Sequence, residues 1–177
     1  GNIVDTQVTI PAAQNGVHRG DLYWTPDNPN LIDVAITLLG GDAKPVDAVE
    51  SYFGLRSVGI LNGRFVLNDR PVFVRSVLEQ GYWPKSHLAA PSPDALKREV
   101  ELIKTLGFNA VRIHQKIEDP RFLYWADHLG LMVWGEIANA FEFNAQAVER
   151  LTRGWVGGVK GGRGHPPIGT WVPLCCN

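Results

Sequence analysis

Between Ile32 and Leu38 apolar and polar residues alternate with a period of two, so that Ile32, Val34, Ile36 and Leu38 share one face of a predicted strand. The rest of the first third follows the same grammar. Gly1–Ile10 is strand-like, turn residues over 11–20 lead to a short strand at Asp21–Trp24, and the Pro/Asn-rich loop Thr25–Asn30 precedes the alternating run. Gly40-Gly41-Asp42 breaks that run, a further strand is expected over 46–55, and no helix is expected before Ser57. Four strands with turns between them suggest part of a sandwich, being too few for an Ig-like domain of about seven.

After Ser57 the pattern changes. Asn62-Gly63 and Asn68-Asp69 predict two tight hairpins, and Val72–Glu79 predicts a strand placing Phe73, Arg75, Val77 and Glu79 on one face. A helix follows, with Ser92 as N-cap, Pro93 at its first position and Leu96, Val100, Ile103 and Leu106 as its apolar stripe. Leu106-Gly107 ends it and feeds the strand Phe108–His114, where Asn109, Val111 and Ile113 face one way and Ala110, Arg112 and His114 the other. Asp119 and Pro120 open a second helix that stops at Leu129-Gly130, and Leu131–Glu136 is the next strand. A third helix is expected from about Asn144, with Val148 and Leu151 inward, before a strand at 168–174. It is expected to end near Arg153 or to be ragged after it, because Gly154, Gly157, Gly158, Gly161, Gly162 and Gly164 each cost roughly 0.8–1 kcal/mol in a helix interior. Strands alternating with helices of this length indicate βαβ units and a parallel sheet, as in the outer-helix, inner-strand plan of an α/β barrel.

Composition narrows the partners. The chain has 177 residues, 45% hydrophobic and 20% charged, with a net charge of −1, which gives no electrostatic footprint for nucleic acid or an acidic membrane. No apolar run approaches the roughly 20 residues of a membrane helix. The two cysteines, Cys175 and Cys176, are adjacent and fit neither a disulfide framework nor a metal-ligand spacing, and no cofactor is indicated. Localisation is left unassigned.

If the strands are parallel neighbours, their carboxyl ends bring Glu79, Arg112, His114 and Glu136 toward one pole. Two carboxylates with an arginine and a histidine fit a glycosidase pair, which needs carboxyls about 5–5.5 Å apart for retention. They equally fit sugar-hydroxyl ligands or an ion-paired structural network. Trp83 and Trp134 lie near the same ends, where an aromatic face covers a pyranose ring or simply packs in the core. His165-Pro166 reads as a turn, and the absence of a G-x-S-x-G elbow gives no support to serine hydrolase chemistry.

Ser51-Tyr-Phe-Gly-Leu-Arg56, Gly63-Arg-Phe-Val-Leu-Asn-Asp-Arg-Pro-Val-Phe-Val-Arg75, Gln80-Gly-Tyr-Trp-Pro84, Leu106–His114, Asp119–Asp127 and Gly130–Glu136 resemble, in order, glycoside hydrolase family 2, the β-galactosidase, β-glucuronidase and β-mannosidase group. Trp24-Thr-Pro-Asp-Asn-Pro29 with its following strand resembles the family's Ig-like domain. The resemblance implies a multi-domain retaining β-glycosidase acting on a carbohydrate substrate. This chain would supply the C-terminal part of an Ig-like β-sandwich (residues 1–57) and the first half of a (β/α)8 TIM barrel (residues 58–177). It further implies that Arg112 and His114 line the sugar site, with Glu136 near the substrate; Glu79 and Trp134 complete the candidate set. Relatives end the fourth barrel strand with Trp-Val-Pro-Leu-Asn-Glu, whose glutamate is the general acid/base. Here Trp171-Val-Pro-Leu174 is followed by Cys175-Cys176-Asn177, so Cys176 occupies the acid/base position and the nucleophile is expected beyond the chain. A thiol does not readily protonate a leaving oxygen and then activate water, so this piece alone is expected to be silent. A non-catalytic carbohydrate-binding or assembly module is the other reading, and open barrel edges predict self-association.

Overall fold

The computed structural model describes residues 5–14, 16 and 19–174. Among them lie three sheets. An antiparallel ribbon joins β1 (Ile32–Leu39) to β2 (Pro45–Phe53), and a small antiparallel sheet joins β3 (Val58–Leu61), β4 (Arg64–Leu67) and β5 (Arg70–Pro71). The third sheet is parallel and runs in chain order through β6 (Ser76–Glu79), β7 (Ala110–Ile113), β8 (Met132–Glu136) and β9 (Ile168–Val172). Helices α2 (Pro93–Thr105), α3 (Pro120–Leu129) and α4 (Ala145–Gly162) form the crossovers.

Local chemistry sets most of these boundaries. The Ser92 hydroxyl accepts from the Ala95 amide, and Asp119 accepts from the Arg121 amide, so both helices begin with their first orphan donors satisfied. Gly130 ends α3 in the left-handed conformation at φ 75°. Asn62-Gly63 and Asn68-Asp69 all take positive φ, the twist that two-residue hairpins require.

Alternation along the parallel strands sorts the core into two parts. Val111, Ile113 and Val133 point to the helices and pack with Leu96, Val100, Ile103, Phe122, Leu123 and Ala126. On the other face, Ala110 and Met132, the first residues of β7 and β8, pack against Trp24 and Leu67. The amino end of the inner face is therefore plugged by the loop before β1 and by the small sheet, and the carboxyl end holds the polar groups.

Several expectations are corrected. Residues 5–10 form no strand, and a four-residue helix, α1 (Pro11–Gln14), and a 3-10 turn at Arg19–Leu22 precede β1. Leu106 and Val148 lie outside the core, 66% and 55% exposed. The largest departure is α4, which runs 18 residues through the glycines instead of stopping near Arg153. Gly154, Gly158 and Gly162 form one row facing the sheet side, where an added Cβ would sit 3.0 Å from Ile137, 2.5 Å from Ile117 and 2.6 Å from Trp171. At these three positions the neighbouring side chains leave no room for a larger residue.

The first segment is fastened to the parallel unit by buried polar contacts. Trp24, fully buried, donates from Nε1 to the Asp127 carbonyl at 2.8 Å. The Asp127 carboxylate, also fully buried, receives the Tyr52 hydroxyl and His165 Nδ1, each 2.6 Å from Oδ2. Arg56 donates to the carbonyls of Pro166 and Ile168 at 2.7 and 2.5 Å. His165-Pro166 is thus a turn, as its sequence suggests, and also one side of this junction.

Candidate functional site

Register decides which polar side chains meet. Arg112 of β7 stands opposite Trp134 of β8, and Glu136 follows two residues later on the same face. Arg112 Nε donates to Glu136 Oε2 at 2.8 Å, and the Gln115 amide donates to Oε1 at 2.9 Å. The Glu136 side chain has no solvent exposure and that of Arg112 keeps 30%. Both oxygens of the carboxylate are engaged, so Glu136 holds the Arg112 guanidinium, and Arg112 is the member of the pair that solvent reaches. Trp134 is half-buried beside them.

His114 lies one residue past β7, its amide bonded to the Glu79 carbonyl and its Nδ1 3.0 Å from the Gln80 amide nitrogen. The side-chain amide of Gln80 is the donor here, leaving Nε2 of the ring to carry the proton. His114 and Gln80 line a pocket of about 160 Å³ with Tyr82, Leu88, Gln115 and Lys116. Gln80 and Tyr82 fall within the motif Gln80–Pro84 without being singled out there as site residues, and Gln115 carries no sequence signal. Gln115 takes φ 53°, and this left-handed step aims its amide at Glu136.

Glu79 does not join this group. It pairs in register with Ile113, whose side chain belongs to the helix-side core, so it lies on the opposite face from Arg112 and Glu136. There it is 8% exposed, and its carboxyl is pushed up to about 8 by burial and by the neighbouring Glu99 and Glu118 carboxylates; Lys116 and the Gly81 amide offset only part of this. Glu99 is likewise raised to about 7, by burial and then by Glu118. By register Glu79 and Glu136 lie on opposite faces of the sheet, so the structure does not bring the two together as a carboxylate pair. Trp83 also goes to the helix side, packed against the core. Cys176 lies outside the described residues. Among the described residues no cluster of His, Cys, Asp or Glu is arranged to hold a metal ion, and no helix is long and apolar enough to cross a membrane.

Known proteins of one family resemble this chain in sequence and fold. The profile described as "Glycosyl hydrolases family 2" matches residues 3–56. A β-galactosidase of Pseudoalteromonas haloplanktis is 34% identical over 119 residues, which are 67% of this chain and 11% of that protein. One from Vibrio cholerae is 30% identical over 159 residues, 84% of this chain and 15% of that one. Among solved structures, a Bacteroides uniformis β-glucuronidase covalently bound to cyclophellitol-6-carboxylate aziridine superposes with a TM-score of 0.77 at 25% identity, over 84% of this chain and 18% of that one. A Parabacteroides merdae β-glucuronidase gives a TM-score of 0.76 at 22% identity, over 84% and 19%. The chain thus spans between about a tenth and a sixth of the length of these β-galactosidases. Ordered motifs, a four-stranded parallel sheet with outer helices and these likenesses converge: the chain belongs to glycosyl hydrolases family 2.

Proposed function

We propose that this chain is a segment of a retaining β-glycosidase that hydrolyses O-glycosyl bonds, contributing one wall of the sugar site and no turnover by itself. The carrying observation is the Arg112–Glu136 pair at 2.8 Å beside Trp134, on the inner face and at the carboxyl end of a parallel sheet. In such barrels chemistry sits at that end. Arg112 is positioned to donate to sugar hydroxyls or a carboxylate, His114 to do the same from the adjoining pocket, and Trp134 to offer an apolar face to a ring. Glu136 acts through Arg112 as a positioning residue, and Glu79 is withdrawn from the sugar-binding set by its place on the far face. With Cys176 at the acid/base position of the family resemblance, proton donation to the leaving oxygen has no glutamic acid to perform it.

In this reading residues 1–57 are the sandwich segment and 58–177 the half barrel. The edges of β6 and β9 then carry unpaired backbone groups, and the isolated chain self-associates. Assay of aryl β-galactoside, β-glucuronide and β-mannoside with the isolated chain tests the proposal. No turnover is expected, and robust hydrolysis overturns the silent part. Saturable sugar binding without hydrolysis, abolished by Arg112→Ala, instead supports the non-catalytic binding module.

A further inference from the structure

On the helix side of the parallel sheet, facing away from Arg112 and Trp134, a cavity of about 360 Å³ separates α4 from β7, β8 and β9. Its walls are Ile113, Ile117, Leu123, Val133, Ile168 and Trp171, and its outer side is the glycine face of α4. The charged groups that reach it already have partners within the chain. Lys116 and Glu118 pair at 2.8 Å, Glu136 pairs with Arg112 at 2.8 Å, and His165 pairs with Asp127 at 2.6 Å. A charged guest would enter with no counter-ion on offer and would lose its hydration against hydrocarbon, which is strongly unfavourable. A neutral guest suffers neither cost.

Size narrows the guest further. An apolar cavity of about 150 Å³ is enough to stay dry and take up benzene, and ligand pockets generally begin near 300 Å³. This cavity has room for a fused two-ring molecule. The way in is set by a second row of glycines on α4. Gly157 and Gly161 are exposed and line the rim, and a Cβ added to either meets nothing within 4 Å. Gly154, Gly158 and Gly162, by contrast, press against side chains. The second row therefore leaves an open mouth that packing against the sheet does not require.

We infer that this cavity is a binding site for a small neutral aromatic molecule of one or two rings, lying on the helix side of the sheet and touching the sugar-facing residues only at Glu136. The inference does not depend on the glycosidase reading.

Indole is a suitable probe, with indole-3-acetate as its anionic counterpart, titrated calorimetrically into the full chain and followed by thermal unfolding. Expected are a saturable one-to-one signal for indole, a midpoint that rises with indole concentration, and at least tenfold weaker binding of the anion. Gly157→Leu with Gly161→Leu places side chains across the mouth at positions that favour helix, and should weaken indole binding at least tenfold while the far-ultraviolet circular dichroism is kept. Should the double variant fail to fold, either single replacement supplies the same comparison. Absence of saturable binding to the folded wild-type chain overturns the inference. So does undiminished binding by a folded blocked variant, and equal affinity for the anion overturns the neutral character of the site.

Discussion

Replacing Asp127 with alanine tests how the first segment is held to the parallel unit. The side chain is fully buried and its Oδ2 accepts both the Tyr52 hydroxyl and His165 Nδ1–H at 2.6 Å. Burial, then the hydrogen bond to this carboxylate and its charge, push the Tyr52 phenol well above its ordinary range, so the hydroxyl remains a donor at any working pH. Alanine leaves two donors without their acceptor. Each loss is worth about 1–3 kcal/mol when the group stays buried. Tyr52 is half-buried and His165 keeps 20% side-chain exposure, so water recovers part of the loss and the expected destabilisation is about 2–4 kcal/mol. For a chain of this size that lowers the thermal midpoint by roughly 5–15 °C. Asp127→Asn keeps one acceptor oxygen and should fall about midway. Tyr52→Phe measured alone and in the Asp127→Ala background, by urea unfolding, gives the coupling, expected at about 1 kcal/mol or more for contacting groups. A destabilisation below about 0.5 kcal/mol, or no coupling between the two positions, would refute the claim that this carboxylate carries the junction.

Glu79 and Glu99 make stability fall with rising pH. Their folded-state values, about 8 and about 7, lie above the ordinary 4.5, so the folded chain holds more protons than the unfolded one. The contribution is complete below about pH 4.5 and is lost as pH rises through 7 and then 8; Glu79→Gln should flatten urea-derived stability over that window, and an unchanged slope counts against the assignment. Gly130→Ala should cost more than about 2 kcal/mol, since φ is 75° and the new Cβ would collide with the Pro26 carbonyl oxygen; a melting midpoint within 2 °C of the wild type would contradict it. Glu136→Gln keeps the shape but removes the charge opposite Arg112 and should destabilise by about 1–3 kcal/mol, while also loosening the Arg112 side-chain resonances in NMR spectra; unchanged resonances would show that Glu136 does not hold the guanidinium.

The parts of this chain that could be read without coordinates are those in which local chemistry and tertiary need agree. Ser92-Pro93, Asp119-Pro120, Gly130 and the Asn-Gly hairpin each satisfy backbone groups within a few residues, so their role is written in adjacent letters. Alternation likewise separates Val111 and Ile113 from Ala110 and Arg112. It fixes which residues share a face, but not which face of one strand joins which face of the next. Glu79 shares a face with Val77, and only its pairing with Ile113 shows that this face looks to the helices. In α4, propensity argued for a stop, but a row at 154, 158 and 162 spaced by four is also the signature of a helix surface meeting bulky neighbours. Asp127 had a signal of the same kind. It lies four residues after Leu123 and one after Ala126, a carboxylate on the apolar side of α3. A charge buried there requires donors from elsewhere in the chain, and the residues that answer it, Tyr52 and His165, are 75 positions upstream and 38 downstream. The long-range contacts that hold the segments together are therefore marked in the sequence at one end only, by a residue whose local surroundings do not suit it.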